Sequence, residues 1–128
     1  MPTSNIDRVS IAFVQITNEG YRVQMAKKGH HFELPEVSLE GGSAIATAAK
    51  ALTRLCTAAQ AEAAVIHCAI PAPDARQLVL IEMLEGSELP PTSDIPMWRL
   101  ASLDEVQYHL GPEWGNVLRK LQQAVSNL

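Results

Sequence analysis

Residues Arg8 to Ile16 read RVSIAFVQI, a β-branched and largely apolar run that suits the middle of a sheet. A central strand needs partner strands beside it and apolar cover above and below. The first partner follows at once. Asn18, Glu19 and Gly20 spell a turn, and Tyr21 to Ala26 (YRVQMA) alternates as the second arm of a hairpin. Lys27, Lys28 and Gly29 make the next turn. His31 to Leu34 is then a short extended piece that stops at Pro35.

Cover comes from two helical segments. After a loop from Glu36 to Gly42, Ser43 is placed to cap a helix over 43–60. Ile45, Ala48, Ala49, Leu52, Leu55, Cys56 and Ala59 recur there at helical spacing, and the alanines let such a helix lie close to a sheet. A second helix is expected from about Pro112 to Asn127, with Pro112 at its first position and Trp114, Val117, Leu118, Leu121 and Val125 as its apolar stripe.

Between the helices, Ala63 to Ile70 (AAVIHCAI) lacks polar alternation and reads as a strand covered on both faces. Gln77 to Leu84 (QLVLIEML) reads as its hairpin partner. Glu85 to Pro96 is a long proline-rich loop, and Met97 to Leu100 is a short strand. Ser102 and Glu105 have the spacing of a capping box over a brief helical turn, SLDEV. The 128 residues fit one domain spanning 1–128, and no repeat or linker divides them.

Charge and composition exclude some functions. The net charge of -4 opposes sequence-independent binding to nucleic acid. No apolar run approaches the roughly 20 residues of a membrane span, and MPTSNIDR lacks the apolar core of a signal peptide, so no membrane association and a cytoplasmic location are expected. Cys56 and Cys68 form no CxxC pair and read as free thiols. The four histidines have no metal-site spacing, and His67 reads as a core histidine.

The order of elements resembles that of the Nudix hydrolase family. The opening hairpin leads to a short strand ending Leu34-Pro35. A glycine-containing loop and an alanine-rich helix follow. Met97-Trp98-Arg99-Leu100 and Ser102-Leu103-Asp104-Glu105-Val106 are similar to the family's closing strand and turn. The resemblance runs from about Arg8 to Val125. It implies an α/β/α sandwich with a mixed β-sheet between helices.

The resemblance also implies a catalytic motif, and here the chain departs from it. The family's box reads G-x5-E-x7-R-E-U-x-E-E-x-G-U, with U apolar, and its glutamates hold Mg²⁺ or Mn²⁺ against a pyrophosphate. Hard cations need clustered carboxylate oxygens, and the metal activates water and neutralises phosphate charge. Laid on this helix, the leading glycine falls on Glu36 and the next acid on Gly42. The arginine falls on Lys50 and the adjoining acid on Ala51. The paired glutamates fall on Arg54 and Leu55. Restoring Leu34-Pro35 to its place puts Ser43 at the first acid, which is no better. Independently of alignment, the segment from Ser43 to Gln60 holds no Asp or Glu.

Three functions stay open on these grounds. The leading one is a non-catalytic domain that binds a phosphorylated small molecule or a partner protein, with Lys50 and Arg54, at i,i+4 spacing, as a metal-free anion site. Their plainer reading is a solvated helix face. No cofactor is expected in that case. The second is a divergent hydrolase of nucleoside diphosphate derivatives that keeps Mg²⁺ on relocated acids, drawn from Glu36, Glu40 and Glu82. Glu36 and Glu40 otherwise read as solvated loop charge, and Glu82 as an outward residue of its strand. The third is a structural or regulatory homodimer, joined through sheet edges or the terminal helix, since many Nudix proteins dimerise.

Overall fold

The computed structural model describes residues 7–39 and 42–128. Its strands are β1 (Arg8–Thr17), β2 (Gly20–Lys28), β3 (His31–Glu33), β4 (Glu36–Ser38), β5 (Val65–Ala72), β6 (Arg76–Met83) and β7 (Trp98–Ala101). Its helices are α1 (Ala44–Leu55), α2 (Ala58–Ala63), α3 (Leu103–Leu110) and α4 (Gly115–Ser126), with a 3₁₀ turn at Pro112–Trp114 before α4. No helix among the described residues is long and apolar enough to cross a membrane.

One mixed sheet runs in the order β3-β2-β1-β6-β5, with β4 also paired to β1 and β7 to β2. The β1–β6 pair is parallel, and the others are antiparallel. The expected opening hairpin is present, closing from Thr17 to Gly20 with φ +106° at the glycine. That backbone conformation favours glycine because it has no Cβ.

Alternation along β1 and β6 divides the interior in two. Ala12, Val14, Leu78 and Leu80 face a core closed by Trp114, Val117, Leu118, Leu121 and Val125. Val9, Ile11, Phe13, Val79, Ile81 and Met83 face the other core, closed by Ala44, Ala48, Ala51 and Leu52 of α1. The fold is therefore the α/β/α sandwich expected from the sequence.

Several expected elements are corrected. The helix expected over 43–60 begins as read, with Ser43 Oγ accepting the Ala46 N–H at 3.0 Å, but it breaks at Cys56. Thr57 starts α2 with a capping box of its own: Thr57 Oγ1 accepts the Gln60 N–H at 3.1 Å, and Gln60 Oε1 accepts the Thr57 N–H at 3.0 Å. These local bonds satisfy donors that a new helix end exposes, and so stabilise the break.

The loop after Pro35 contains β4, whose pairing with Arg8–Ser10 is non-local. The brief turn at Ser102 extends to Leu110, with the capping box present as read. A hydrogen bond from Arg99 and one from the Ser102 backbone hold the Glu105 carboxyl below its ordinary pKa.

The strand read over 63–70 is β5, with α1 packed on one face and α4 on the other, and among the described residues it is an edge strand that pairs with β6. A bulge between Ile66 and Cys68 takes up one extra residue, which disguised the alternation. His67 is consequently at the surface rather than in the core, 2.9 Å from Glu82.

Candidate functional site

A cleft of about 210 Å³ opens where the end of α1 meets β2, β4 and the proline-rich loop. Arg54 comes from α1, Lys28 from the end of β2, Glu36 from β4, and Thr92 and Asp94 from the loop. Arg54 makes no ion pair or hydrogen bond with the described residues. Lys28 is 3.6 Å from Glu33. Lys50, one turn before Arg54, is exposed and does not line this cleft. The helical pair read from spacing is therefore divided, with Arg54 in the cleft and Lys50 outside it.

Glu36 is held by two guanidinium groups. Its Oε1 accepts from Arg8 Nη1 at 3.3 Å, and its Oε2 accepts from Arg76 Nε. Burial acts against the charge of Arg76, but hydrogen bonds and charges from Glu36 and Asp74 outweigh it and raise the Arg76 pKa. Both oxygens of Glu36 thus join β4 to β1 and β6. Glu40 lies outside the described residues.

Glu82 is elsewhere. Glu36 pairs with Ser10, which lies opposite Leu78, and Glu82 is four positions further along β6. At about 3.3 Å per residue, that is roughly 13 Å along the sheet. Its partner there is His67. Glu36 and Glu82 are therefore not brought to one centre.

A polar pocket of about 280 Å³ also borders Glu36, with Ser10, His31, Asp74, Arg76, His109 and Glu113 in its wall. His31 Nε2 is 3.3 Å from Glu33, and His109 meets Phe32 edge to face at 5.7 Å. Among the described residues, no three His, Cys, Asp or Glu side chains are grouped to hold a metal. The chemistry of the donors present fits Mg²⁺ poorly: a guanidinium reaches the cleft from α1, and of the two carboxylates in its lining Glu36 is already shared by two arginines.

A third cavity, of about 490 Å³, lies beneath the proline-rich loop. Two glutamines form part of its wall: Gln15 on β1, in line with Phe13, and Gln24 on β2, in line with Ala26. Sequence reading passed over both. The available signal was a polar residue at each of two inward strand positions. Lys28, Arg76 and Asp94 carried no such signal, because only chain folding brings them near Arg54 or Glu36.

No family model and no curated protein matches the sequence. Solved structures do match the fold. An Ap4A hydrolase from C. elegans, in a binary complex, superposes with a TM-score of 0.72 at 14% identity, covering 96% of this chain and 99% of that one. A Nudix hydrolase from M. smegmatis, RenU, gives a TM-score of 0.62 at 13% identity, covering 97% and 88%. The Nudix domain of Shewanella oneidensis NrtR, complexed with ADP ribose, gives 0.56 at 12% identity, covering 94% and 85%. With its mixed sheet between helices and its near-complete overlap with these structures, the chain has the Nudix fold.

Proposed function

We propose that this Nudix-fold chain binds a phosphate-bearing small molecule without metal and does not hydrolyse it. The observation that carries the reading is Arg54, a guanidinium without a partner among the described residues, lining the cleft from a helix that holds no carboxylate. Where the box glutamates of the family would gather a cation, the Arg54 guanidinium repels one. For unit charges at contact the repulsion is on the order of 1–4 kcal/mol between the water and intermediate-dielectric limits. The same charge attracts a phosphate, and guanidinium geometry suits two of its oxygens at once. Lys28, 3.6 Å from Glu33, adds a second positive charge to the lining, while Glu36 and Asp94 limit how much anionic charge the cleft accepts. A Nudix domain complexed with ADP ribose gives a concrete first ligand to try.

Thermal unfolding with ADP-ribose and with inorganic pyrophosphate, each with and without Mg²⁺, tests the reading. A ligand at about 100 times its Kd stabilises the folded state by about 2.7 kcal/mol. The expected result is a rise in Tm that is independent of Mg²⁺ and lost in Arg54→Ala. Turnover of ADP-ribose that requires Mg²⁺ and stops on chelation would refute the proposal.

A further inference from the structure

We propose that the polar pocket between β1, β3 and the end of α3 binds a small primary amine, held as its ammonium ion on a short apolar stem. The pocket lies on the face of the sheet that α4 covers, whereas Arg54 belongs to α1 on the other face. The proposal does not depend on how the Arg54 cleft functions.

Ser10 is the observation that points to a ligand. It stands in β1 between Glu36 of β4 and Leu78 of β6. Strand alternation turns it to the same face as Ala12 and Val14. The residue is 2% exposed, and its hydroxyl has no hydrogen-bond partner among the described residues. No side-chain nitrogen or oxygen among those residues is both sealed from solvent and without a partner. The Ser10 hydroxyl is therefore open on one side, and the pocket it lines is the space before it. A hydroxyl so deep is destabilising unless something bonds to it. In a strand reading RVSIAFVQI, an apolar side chain would have filled the place without that penalty.

The charges in the wall select the sign of the ligand. Glu33, Glu36, Asp74 and Glu113 line the pocket against a single guanidinium, Arg76. Arg76 is already committed: its Nε donates to Glu36, and its Nη1 donates to Asp74 at 3.3 Å. Glu36 and Glu33 have further cations of their own in Arg8 and Lys28. Glu113 makes no ion pair or hydrogen bond with the described residues. A Cβ at Gly111 would stand 3.6 Å from its Oε1, which puts this carboxylate beside the C-terminal end of α3. The last carbonyls of a helix add partial negative charge there. The turn that carries Asp74 is held in place although Asp74 and Ala75 have φ of +59° and +57°, values that residues other than glycine seldom adopt. The Asp7 N–H donates to the Ala75 carbonyl at 3.1 Å, and Arg8 Nη2 donates to the Asp74 carbonyl at 3.2 Å.

Free acceptors set the head group, and the apolar wall sets the rest. The exposed His109 ring meets Phe32 at 5.7 Å and Tyr108 at 5.4 Å, and its nitrogens have no hydrogen-bond partner among the described residues. A neutral imidazole has one acceptor nitrogen, and a primary ammonium has three donors and no acceptor. Ser10 Oγ, the Glu113 carboxylate and the His109 ring together answer those three donors. Phe32, Leu110 and Trp114 border the same space and suit a short alkyl stem. At about 280 Å³ the pocket is just smaller than the roughly 300–1,000 Å³ of drug-sized sites, which limits the stem to a few carbons. A carboxylate or phosphate would meet Glu113 without a free cation to offset it.

A series of probes on one butyl chain tests this: butylammonium, butyltrimethylammonium, butanol and butyrate. They are titrated into the ¹⁵N-labelled full chain in an amine-free buffer and followed by NMR. Butylammonium is expected to shift the Trp114 indole signal and the Ser10 and Glu113 amide signals saturably, with a Kd on the order of 1 mM for so small a ligand. The quaternary ion keeps the charge without N–H donors, butanol keeps the shape without the charge, and butyrate reverses the charge. Each of these is expected to give no saturable shift. Ser10→Ala should weaken butylammonium about tenfold, as for one lost charge-assisted hydrogen bond. It should leave Tm unchanged or raise it, since the hydroxyl it removes has no partner among the described residues. Glu113→Gln, at an exposed position with no partner to lose among those residues, should fold as the parent does and bind severalfold more weakly. Arg54→Ala should change nothing, which separates this pocket from the proposed phosphate cleft. The proposal is overturned by absence of saturable shifts with butylammonium, by equal shifts with butanol or the quaternary ion, or by parent affinity in Glu113→Gln. A lowered Tm with unchanged affinity in Ser10→Ala would mark the hydroxyl as structural and overturn it as well.

Discussion

The two sides of the sheet are closed in different ways. On the α4 side, Trp114, Leu118, Leu121 and Val125 reach into the strands and fill the interior with large side chains. On the α1 side, the helix contributes mainly alanines, and a loop fastened by glutamine side chains completes the cover. Large apolar side chains give more burial and dispersion per residue. Small ones let the helix approach and leave the rim to polar groups. Both the Arg54 cleft and the glutamine-walled cavity border the loop on this second side. The first side is filled mainly by large side chains, with the pocket of about 280 Å³ beside Trp114 opening at its margin, and the second keeps its openings along the loop.

Paired truncations test that contrast most strongly. Leu121→Ala, at a fully buried position of α4, should cost about 2–5 kcal/mol, and Leu52→Ala on α1 should fall near the lower end of that range. Denaturant unfolding measures both, and equal losses would break the comparison. A smaller effect belongs to the junction between the sides. Glu36→Gln should cost about 1–3 kcal/mol, because partly buried Arg76 loses one of its two charged partners and Arg8 loses one of its own. If stability were unchanged, Glu36 would not be the clamp described above.

Arg54→Ala sharpens the comparison from the functional side. Its effect on stability should stay within about 0.5 kcal/mol, as for an exposed residue without partners among the described residues, while the Tm rise with ADP-ribose disappears. Lys50→Ala should keep that rise, since Lys50 does not line the cleft.

The smallest effect at neutral pH concerns the two thiols. Burial pushes the Cys56 pKa up to about 11, so its thiolate is scarce near pH 7. A thiol reagent should label half-buried Cys68 well before Cys56. The sign of the linkage follows: with the folded pKa above its ordinary value of 9.0, the associated stability is intact below pH 9 and is lost as pH rises toward about 11. Alkaline unfolding of a Cys56→Ser variant, compared with the parent, checks this.

Much of the architecture was legible because it is local. The Asn18-Glu19 turn, the Ser43 cap, the Ser102–Glu105 box and the stripe through Leu118 and Leu121 each show within a few residues. The second capping box at Thr57 and Gln60 was equally local, but the helical spacing of alanines concealed it. Other features depend on distant partners. β4 exists because Glu36–Ser38 meets Arg8–Ser10, and Glu36 is bound by residues 28 and 40 positions away. The site was legible only in outline. The acid-free helix and Arg54 stood out in the sequence, whereas Lys28 comes to the same cleft as Arg54 only when the chain is folded. Alternation in β5 was hidden by its bulge, and His67 was misplaced for that reason.

The bulge at His67 has a bearing on self-association. Together with Pro71, which has no N–H to offer, it interrupts the row of amide and carbonyl groups along the outer margin of β5. Another chain approaching that margin could form only short, mismatched ladders. Growth of the sheet from molecule to molecule across β5 is thereby discouraged, which leaves β3, at the opposite end of the strand order, as the margin open to such an approach.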